Sequence, residues 1–140
     1  MIITEYKKFR GVVSFDFDGV LHTSMISGTL HPINFLDTDS WKPNLKLHDI
    51  FRKEQRTHKI IVVTARDTWN KPQIEAFLRL WNLYPDEIIT TDSTSKKPYL
   101  MKNNVIRHYD DNPKLQTELA GTGIEFMLVY DVDKIKKIKL

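Results

Sequence analysis

Five short runs rich in valine and isoleucine recur along the chain and alternate with segments of helical periodicity. The runs cover residues 11–17, 59–64, 87–91, 105–109 and 124–130. Such runs are typical of strands buried on both faces, and the helices between them supply the crossover connections that parallel strands need. The pattern predicts an α/β domain with a doubly wound, mainly parallel five-stranded sheet and helices on both faces.

The segments between these runs carry helix start signals. We expect Pro43 to open the first helix and Asn70 to cap the second. The third helix is expected to start near Ser93 or Ser95, and the fourth to cover residues 113–120. The second helix is predicted to bury an apolar stripe, with two core aromatics at its end: Ile74, Phe77, Leu78 and Leu80, then Trp81 and Tyr84.

The bulk properties suit a soluble globular protein. A chain of 140 residues with 41% hydrophobic and 28% charged residues predicts a single domain over residues 1–140. The absence of cysteine excludes disulfides and thiolate metal sites. No apolar run is long enough for a signal peptide or a membrane span, so we expect a cytoplasmic location and no membrane partner.

One long stretch, at about residues 22–42, lacks clear periodicity. Irregular segments of this length are often lids or binding loops, although a structured surface excursion is equally compatible with the sequence. The length of the chain leaves no room for a large additional cap domain.

Polar clusters follow the first four predicted strands, at residues 16–19, 64–67, 90–93 and 110–112. In an open parallel sheet these strand ends meet at one edge, where ligands bind. Asp16 and Asp18 are two residues apart on a strand, so they share a face and would need a cation or a proton. Oxygen ligands without cysteine or histidine favour Mg²⁺, and the five histidines show no metal-ligand spacing.

The motifs resemble a known enzyme superfamily. Asp16-Phe17-Asp18-Gly19-Val20, the strand ending in Thr64, the pair Lys96-Lys97 and the pair Asp110-Asp111 are similar, in order and spacing, to the four motifs of the haloacid dehalogenase (HAD) superfamily. This resemblance covers nearly the whole chain. It implies a Rossmann-like sheet without a large cap and a phosphatase that depends on Mg²⁺.

The resemblance also implies roles for the first motif. Asp16 would be the nucleophile that forms an aspartyl-phosphate, and Asp18 would be the general acid and base. We expect acidic neighbours to raise the pKa of Asp18. Gly19 would allow a tight turn beside the metal and the substrate.

The second and third motifs would bind the phosphoryl group. Thr64 and Ala65 would supply a hydroxyl and backbone N–H groups, and Arg66 would help to bind the phosphate. The motif lysine is Lys96 or Lys97. We prefer Lys97 because a proline follows it, whereas Lys96 stands four residues after Asp92, an acid that could hold it by an ion pair.

The metal ligands implied by the resemblance are Asp16, Asp18, Asp110 and Asp111. From the residues alone, the pair at 110–111 would be equally compatible with a turn and helix cap before Pro113.

The substrate follows from a narrower resemblance. The small size, the lack of a cap and the Val-Val-Thr-Ala-Arg segment are similar to the phosphatase half of phage polynucleotide kinase-phosphatases, which implies a nucleic-acid 3′-phosphate or a nucleotide as substrate. A second arginine of that family has no counterpart in residues 22–31. Small phosphorylated metabolites, free nucleoside monophosphates and an inactive binding module therefore remain as alternatives, and protein partners are open.

Aromatic residues near the predicted active edge could stack on a base. These are Trp41, Trp69 and Tyr99. Packing in the core is the interpretation we prefer for each of them.

Overall fold

The computed structural model describes residues 9–23, 25–26, 29–30 and 42–129. Most of the predicted irregular stretch, including Trp41, lies outside the described residues, as does residue 130 of the last predicted strand. The loop's role therefore stays a prediction.

Five strands form the main sheet: β1 (Val12–Phe15), β6 (Lys59–Thr64), β7 (Glu87–Thr90), β8 (Val105–Asp110) and β9 (Glu125–Leu128). Four two-residue strands form two small antiparallel pairs: β2 (His22–Thr23) with β5 (Lys42–Pro43), and β3 (Met25–Ile26) with β4 (Thr29–Leu30). The helices are α1 (Leu45–Gln55), α2 (Lys71–Leu80), α3 (Lys97–Lys102) and α4 (Pro113–Glu118), with a 3₁₀ turn at Thr68–Asn70.

The main sheet has the order β7-β6-β1-β8-β9, and every neighbouring pair is parallel. The chain builds outward from β1 to β6 and β7, then returns to the other side of β1 to add β8 and β9. This reversal confirms the doubly wound α/β fold, and it makes the carboxyl ends of β1 and β8 neighbours at the switch point, where such sheets bind ligands.

Alternate side chains of the strands enter two separate cores. Ile60 and Val62 of β6 pack with residues of α1 and α2, whereas Ile61 and Val63 pack with Leu100 and with residues of α4. Because successive side chains on a strand point to opposite faces, the continuous apolar run of β6 buries both faces of the sheet. Helices therefore cover both faces, as predicted.

Two residues predicted to be buried are exposed. Leu80 is 74% exposed and Tyr84 is 57% exposed. Leu80 follows Leu78 by two residues, which is about 200° around a helix, so it faces away from the buried stripe. Tyr84 lies beyond the end of α2, whereas Trp81 is partly buried against the core, as expected.

Helix starts agree with the predictions in part. Asn112 caps α4 by accepting the N–H of Lys114. Asn70 occupies the N-cap position of α2, as predicted, but its side chain makes no cap bond. The backbone of Asn70 is already helical because it belongs to the preceding 3₁₀ turn, whereas a capping residue needs extended backbone. Pro43 lies in β5, and α1 begins at Leu45.

Within the described part of the chain, no helix has the length and apolar character needed to cross a membrane.

A buried ionic cluster joins α1 to β8. The Glu54 carboxylate accepts two bonds from the Arg107 guanidinium, at 2.6 and 2.7 Å, and one from the Tyr109 hydroxyl at 2.8 Å. Burial and the Glu54 charge raise the pKa of Tyr109, so its hydroxyl keeps the proton that it donates. Glu54 is only 1% exposed, and these donors compensate the cost of burying its charge.

We predict that Glu54→Ala lowers the free energy of unfolding by about 3 kcal/mol, because it leaves a largely buried guanidinium and a buried hydroxyl without their acceptor. Urea unfolding at neutral pH measures the change. The control is Glu75→Ala, which removes an exposed ion pair with Arg79 and should cost less than about 0.5 kcal/mol. Equal losses for the two variants would contradict the role of the buried cluster.

Candidate functional site

Three carboxylates meet where β1 and β8 end. Asp16 follows β1, Asp110 is the last residue of β8, and Asp111 comes next. One oxygen from each carboxylate lies within 4.8 Å of the other two. Among the described residues, these three acids form the group whose spacing suits a metal ion. The structure therefore brings together three of the four metal ligands predicted from the sequence.

Lys96 lies between two of these carboxylates. Its Nζ is 2.9 Å from Asp16 Oδ1 and 2.7 Å from Asp110 Oδ2. Lys97, the lysine preferred from the sequence, is half-buried at the start of α3 and forms no ion pair with another described residue. The lysine that reaches the cluster is Lys96.

A closed turn precedes Lys96 in the chain, and Asp92 binds Thr68 rather than Lys96. Thr91 and Thr94 donate their hydroxyls to each other's carbonyl oxygens and so close the turn that follows β7. The Asp92 carboxylate accepts the N–H of Thr68, which ties this turn to the loop after β6. The ion pair expected between Lys96 and Asp92 is not formed, because Lys96 precedes the helix and does not lie one helical turn after Asp92.

The electrostatics of the cluster favour an additional cation. Burial raises the pKa of Asp16 well above its ordinary value, although Lys96 opposes the shift. Burial and the Asp110 charge raise the pKa of Asp111 to about 6. Burial also opposes ionisation of Asp110, but His108 and Lys96 outweigh it and lower that pKa. Three carboxylates thus share one ammonium group, and their hard oxygen atoms fit Mg²⁺.

Asp18, the fourth metal ligand predicted from the sequence, is not part of the three-carboxylate group. Its carboxylate accepts two bonds from Arg66, with Nε–Oδ2 at 2.8 Å and Nη2–Oδ1 at 2.6 Å. His22 Nε2 lies 2.9 Å from the same Oδ1. Burial would raise the pKa of Asp18, but the bonds from His22 and Arg66 lower it to about 2, so the expected upward shift was wrong. The hydrogen bonds from His22 and Arg66 thus outweigh the effect of burial on Asp18.

The phosphate-binding residues predicted from the sequence line the adjacent strand end. Thr64 is fully buried at the end of β6, and its Oγ1 accepts the N–H of Arg66 at 3.3 Å. Ala65 is exposed, and the Arg66 guanidinium lies 5.7 Å from the centre of the Phe17 ring. Gly19 has a φ of +74°, which confirms the tight turn expected beside the first motif.

The aromatic residues divide between core and surface. Tyr99 is partly buried against the core beneath α3, in agreement with the preferred interpretation. Trp69 is 56% exposed in the 3₁₀ turn that follows Arg66, so core packing was the wrong interpretation for it. Thr68 binds the Asp92 carboxylate through its N–H and its hydroxyl, which fixes the turn with the Trp69 indole at the surface.

Sequence reasoning missed a buried pair behind the cluster. His108 Nε2 lies 2.8 Å from Asp110 Oδ2, and His108 Nδ1 lies 2.6 Å from Ser14 Oγ. All three residues are fully buried. One signal was present: His108 precedes Asp110 by two residues on a strand, so the two side chains share a face.

Comparison with known proteins supports the fold and assigns no family. No protein-family profile matches the chain, and no curated protein does. Two solved structures of chains from the Pnkp1/Rnl/Hen1 RNA repair complex are similar to it, with TM-scores of 0.68 and 0.69 at 18% and 19% identity. The alignments cover 84% and 86% of this chain but 42% and 46% of those chains. The chain thus spans less than half of their length, and at this identity the likeness shows the fold.

We predict that Lys96→Met lowers the free energy of unfolding by about 3 kcal/mol at neutral pH, because two buried carboxylates lose their shared ammonium group. Lys97→Met is the matched control and should change it by less than about 0.5 kcal/mol. Urea unfolding without added metal measures both. A larger loss for the Lys97 variant would contradict the assignment of Lys96 to the cluster.

Proposed function

We propose that this chain is an Mg²⁺-dependent phosphomonoesterase of the HAD type that acts through an aspartyl-phosphate intermediate. The observation that carries the proposal is the position of Asp16. It lies at the switch point of the sheet, in salt-bridge contact with Lys96 and within a group of three carboxylates. A structural role alone does not require this concentration of buried charge, since burying it is costly.

The three carboxylates Asp16, Asp110 and Asp111 would hold the metal ion. When bound, Mg²⁺ would neutralise the charge of the phosphate and orient it towards the nucleophile. The ammonium of Lys96 would assist the nucleophile, because it favours the ionised form of Asp16 against the effect of burial, and it can stabilise negative charge on the phosphoryl group.

In the proposed reaction, a carboxylate oxygen of Asp16 forms a bond to phosphorus while the bond from phosphorus to the leaving alcohol oxygen breaks. Asp18 donates a proton to that oxygen. Water then attacks the phosphorus of the aspartyl-phosphate, Asp18 takes a proton from the water, and Asp16 and inorganic phosphate are released.

Arg66 links phosphate binding to the state of Asp18. The two N–H groups of Arg66 that donate to Asp18 could donate equally well to the oxygens of a phosphate group. Arginine typically binds phosphate through two such bonds. We propose that Arg66 transfers these bonds to the substrate. Asp18 is then relieved of its strongest cationic partner and can carry a proton to the leaving group.

The substrate class we favour is a phosphate ester at a nucleic-acid 3′ end or on a nucleotide. Trp69, which is exposed close to Arg66 in sequence, offers a surface on which a base could stack. The structural neighbours belong to an RNA repair complex, which is compatible with such a substrate. Small phosphorylated metabolites are the alternative within the same chemistry, and an inactive HAD-fold binding module is the alternative outside it.

We predict that the protein hydrolyses p-nitrophenyl phosphate with Mg²⁺, loses this activity in EDTA, and regains it when Mg²⁺ is restored. Asp16→Asn should reduce turnover by at least about 10³-fold, because an amide cannot form the acyl-phosphate. Asp49→Asn, which changes an exposed carboxylate on α1, is the control and should retain full activity. Activity of Asp16→Asn at the control level, or inactivity of the wild type under every metal and pH condition, would contradict the proposal.

We predict that 3′-phosphorylated oligonucleotides are dephosphorylated with higher kcat/KM than mononucleotides or small phosphate esters. Trp69→Ala should lower kcat/KM about 5- to 100-fold for oligonucleotides, since stacking on an aromatic is worth about 1–3 kcal/mol per base, and leave p-nitrophenyl phosphate unaffected. Tyr84→Ala, at another exposed aromatic, is the control. A preference for mononucleotides or metabolites would overturn the substrate class and leave the chemistry intact.

A further inference from the structure

We propose that His108, held by Ser14, is a positioning residue that fixes the Asp110 carboxylate for metal binding. The inference rests on the proposed function, because it concerns the same metal site. His108 would act through Asp110 and would touch neither substrate nor metal.

The strand register creates this arrangement. Ser14 of β1 and His108 of β8 are paired residues of neighbouring parallel strands, and their side chains lie on the same face of the sheet. Asp110 lies two residues further along β8, so it faces the same way. A continuous chain of hydrogen bonds therefore runs from the middle of the sheet to its carboxyl edge, with Ser14 Oγ to His108 Nδ1 at 2.6 Å and His108 Nε2 to Asp110 Oδ2 at 2.8 Å.

The hydrogen-bonding capacities of Asp110 and Ser14 determine which nitrogen of His108 carries the proton. An ionised carboxylate only accepts hydrogen bonds, so His108 Nε2 must be the donor to Asp110. The Ser14 hydroxyl can donate a hydrogen bond as well as accept one, so a ring with a single proton on Nε2 satisfies both of its neighbours. Nδ1 is therefore an acceptor, and the Ser14 hydroxyl donates to it. Ser14 thus holds the tautomer that Asp110 requires.

Both carboxylate oxygens of Asp110 accept hydrogen bonds. Its Oδ2 receives His108 and Lys96, and its Oδ1 accepts the N–H of Asn112 at 3.0 Å. Because Asp110 is fully buried, solvent does not help to orient it. Donors behind a metal-binding carboxylate limit its rotation and so reduce the ordering that metal binding would otherwise require.

Serine, histidine and aspartate in this order resemble the triad of acyl-transfer enzymes, but they cannot act as one here. Ser14 is fully buried between the two neighbouring strands of β1, where no substrate can approach its hydroxyl. Asp110, and not the serine, lies at the edge where ligands bind. Ser14 and His108 therefore support Asp110, which is the member of the three that lies at the ligand-binding edge.

The test measures Mn²⁺ binding to the full chain by electron paramagnetic resonance, with no substrate present. His108→Leu removes the donor to Asp110 and should weaken Mn²⁺ binding about 10- to 100-fold. His108→Gln places an amide N–H near the Nε2 position and should restore most of the affinity. His58→Gln is the matched control, because His58 is a buried histidine that contacts Glu54, and it should bind Mn²⁺ as the wild type does.

Two further measurements keep the test decisive if His108→Leu fails to fold. Ser14→Ala removes only a hydroxyl and should weaken Mn²⁺ binding about 3- to 10-fold, the equivalent of one neutral hydrogen bond. Nitrogen-15 NMR of the wild-type histidines should show that Nε2 of His108 carries a proton.

The outcomes separate this inference from the proposed function. If the wild type binds Mn²⁺ and hydrolyses phosphate esters, while His108→Leu or Ser14→Ala binds Mn²⁺ unchanged, the role of His108 is overturned and the function stands. A His108 ring with no proton on Nε2 would also overturn the role alone. A wild type that neither binds Mn²⁺ nor hydrolyses phosphate esters would overturn both.

Discussion

The buried ammonium group of Lys96 is the interaction on which the rest of the site depends. Asp16 and Asp110 end neighbouring strands and are almost inaccessible to solvent, so their charges would repel each other without it. Asp111 adds a third carboxylate that the single ammonium group cannot balance. The carboxyl edge of the parallel sheet therefore carries an acidic group that one ammonium group balances only in part, and the proposed divalent cation would balance the rest.

The fold and the acidic part of the site could be predicted because both arise from local patterns. Strands buried on both faces must be continuously apolar, and the run at 59–64 shows this directly. Parallel strands place their carboxyl ends at one edge, so polar residues after several runs must converge there. Asp16, Asp110 and Asp111 meet for this reason, and no knowledge of distant contacts was needed to expect it.

The partners of those acids could not be read from the sequence, because they depend on contacts between residues far apart in the chain. Arg66 pairs with Asp18 across 48 positions, and together with His22 it reverses the upward pKa shift that burial alone would cause. Whether Lys96 or Lys97 enters the cluster depends on where α3 begins, and a difference of one residue decides it. Burial of His108 likewise follows from the register of β8 against β1.

The strand order also has a consequence for the order of events in folding. The strand β8 joins β1 only after the chain has passed through β6 and β7, and Ser14 meets His108 across 94 positions. Contacts this distant carry a large loop-closure entropy and usually form slowly. A chain in which β1, β6 and β7 have already associated would still lack Asp110 and Asp111. On the proposed function, the ability to bind a divalent cation would therefore arise only once β8 has joined β1.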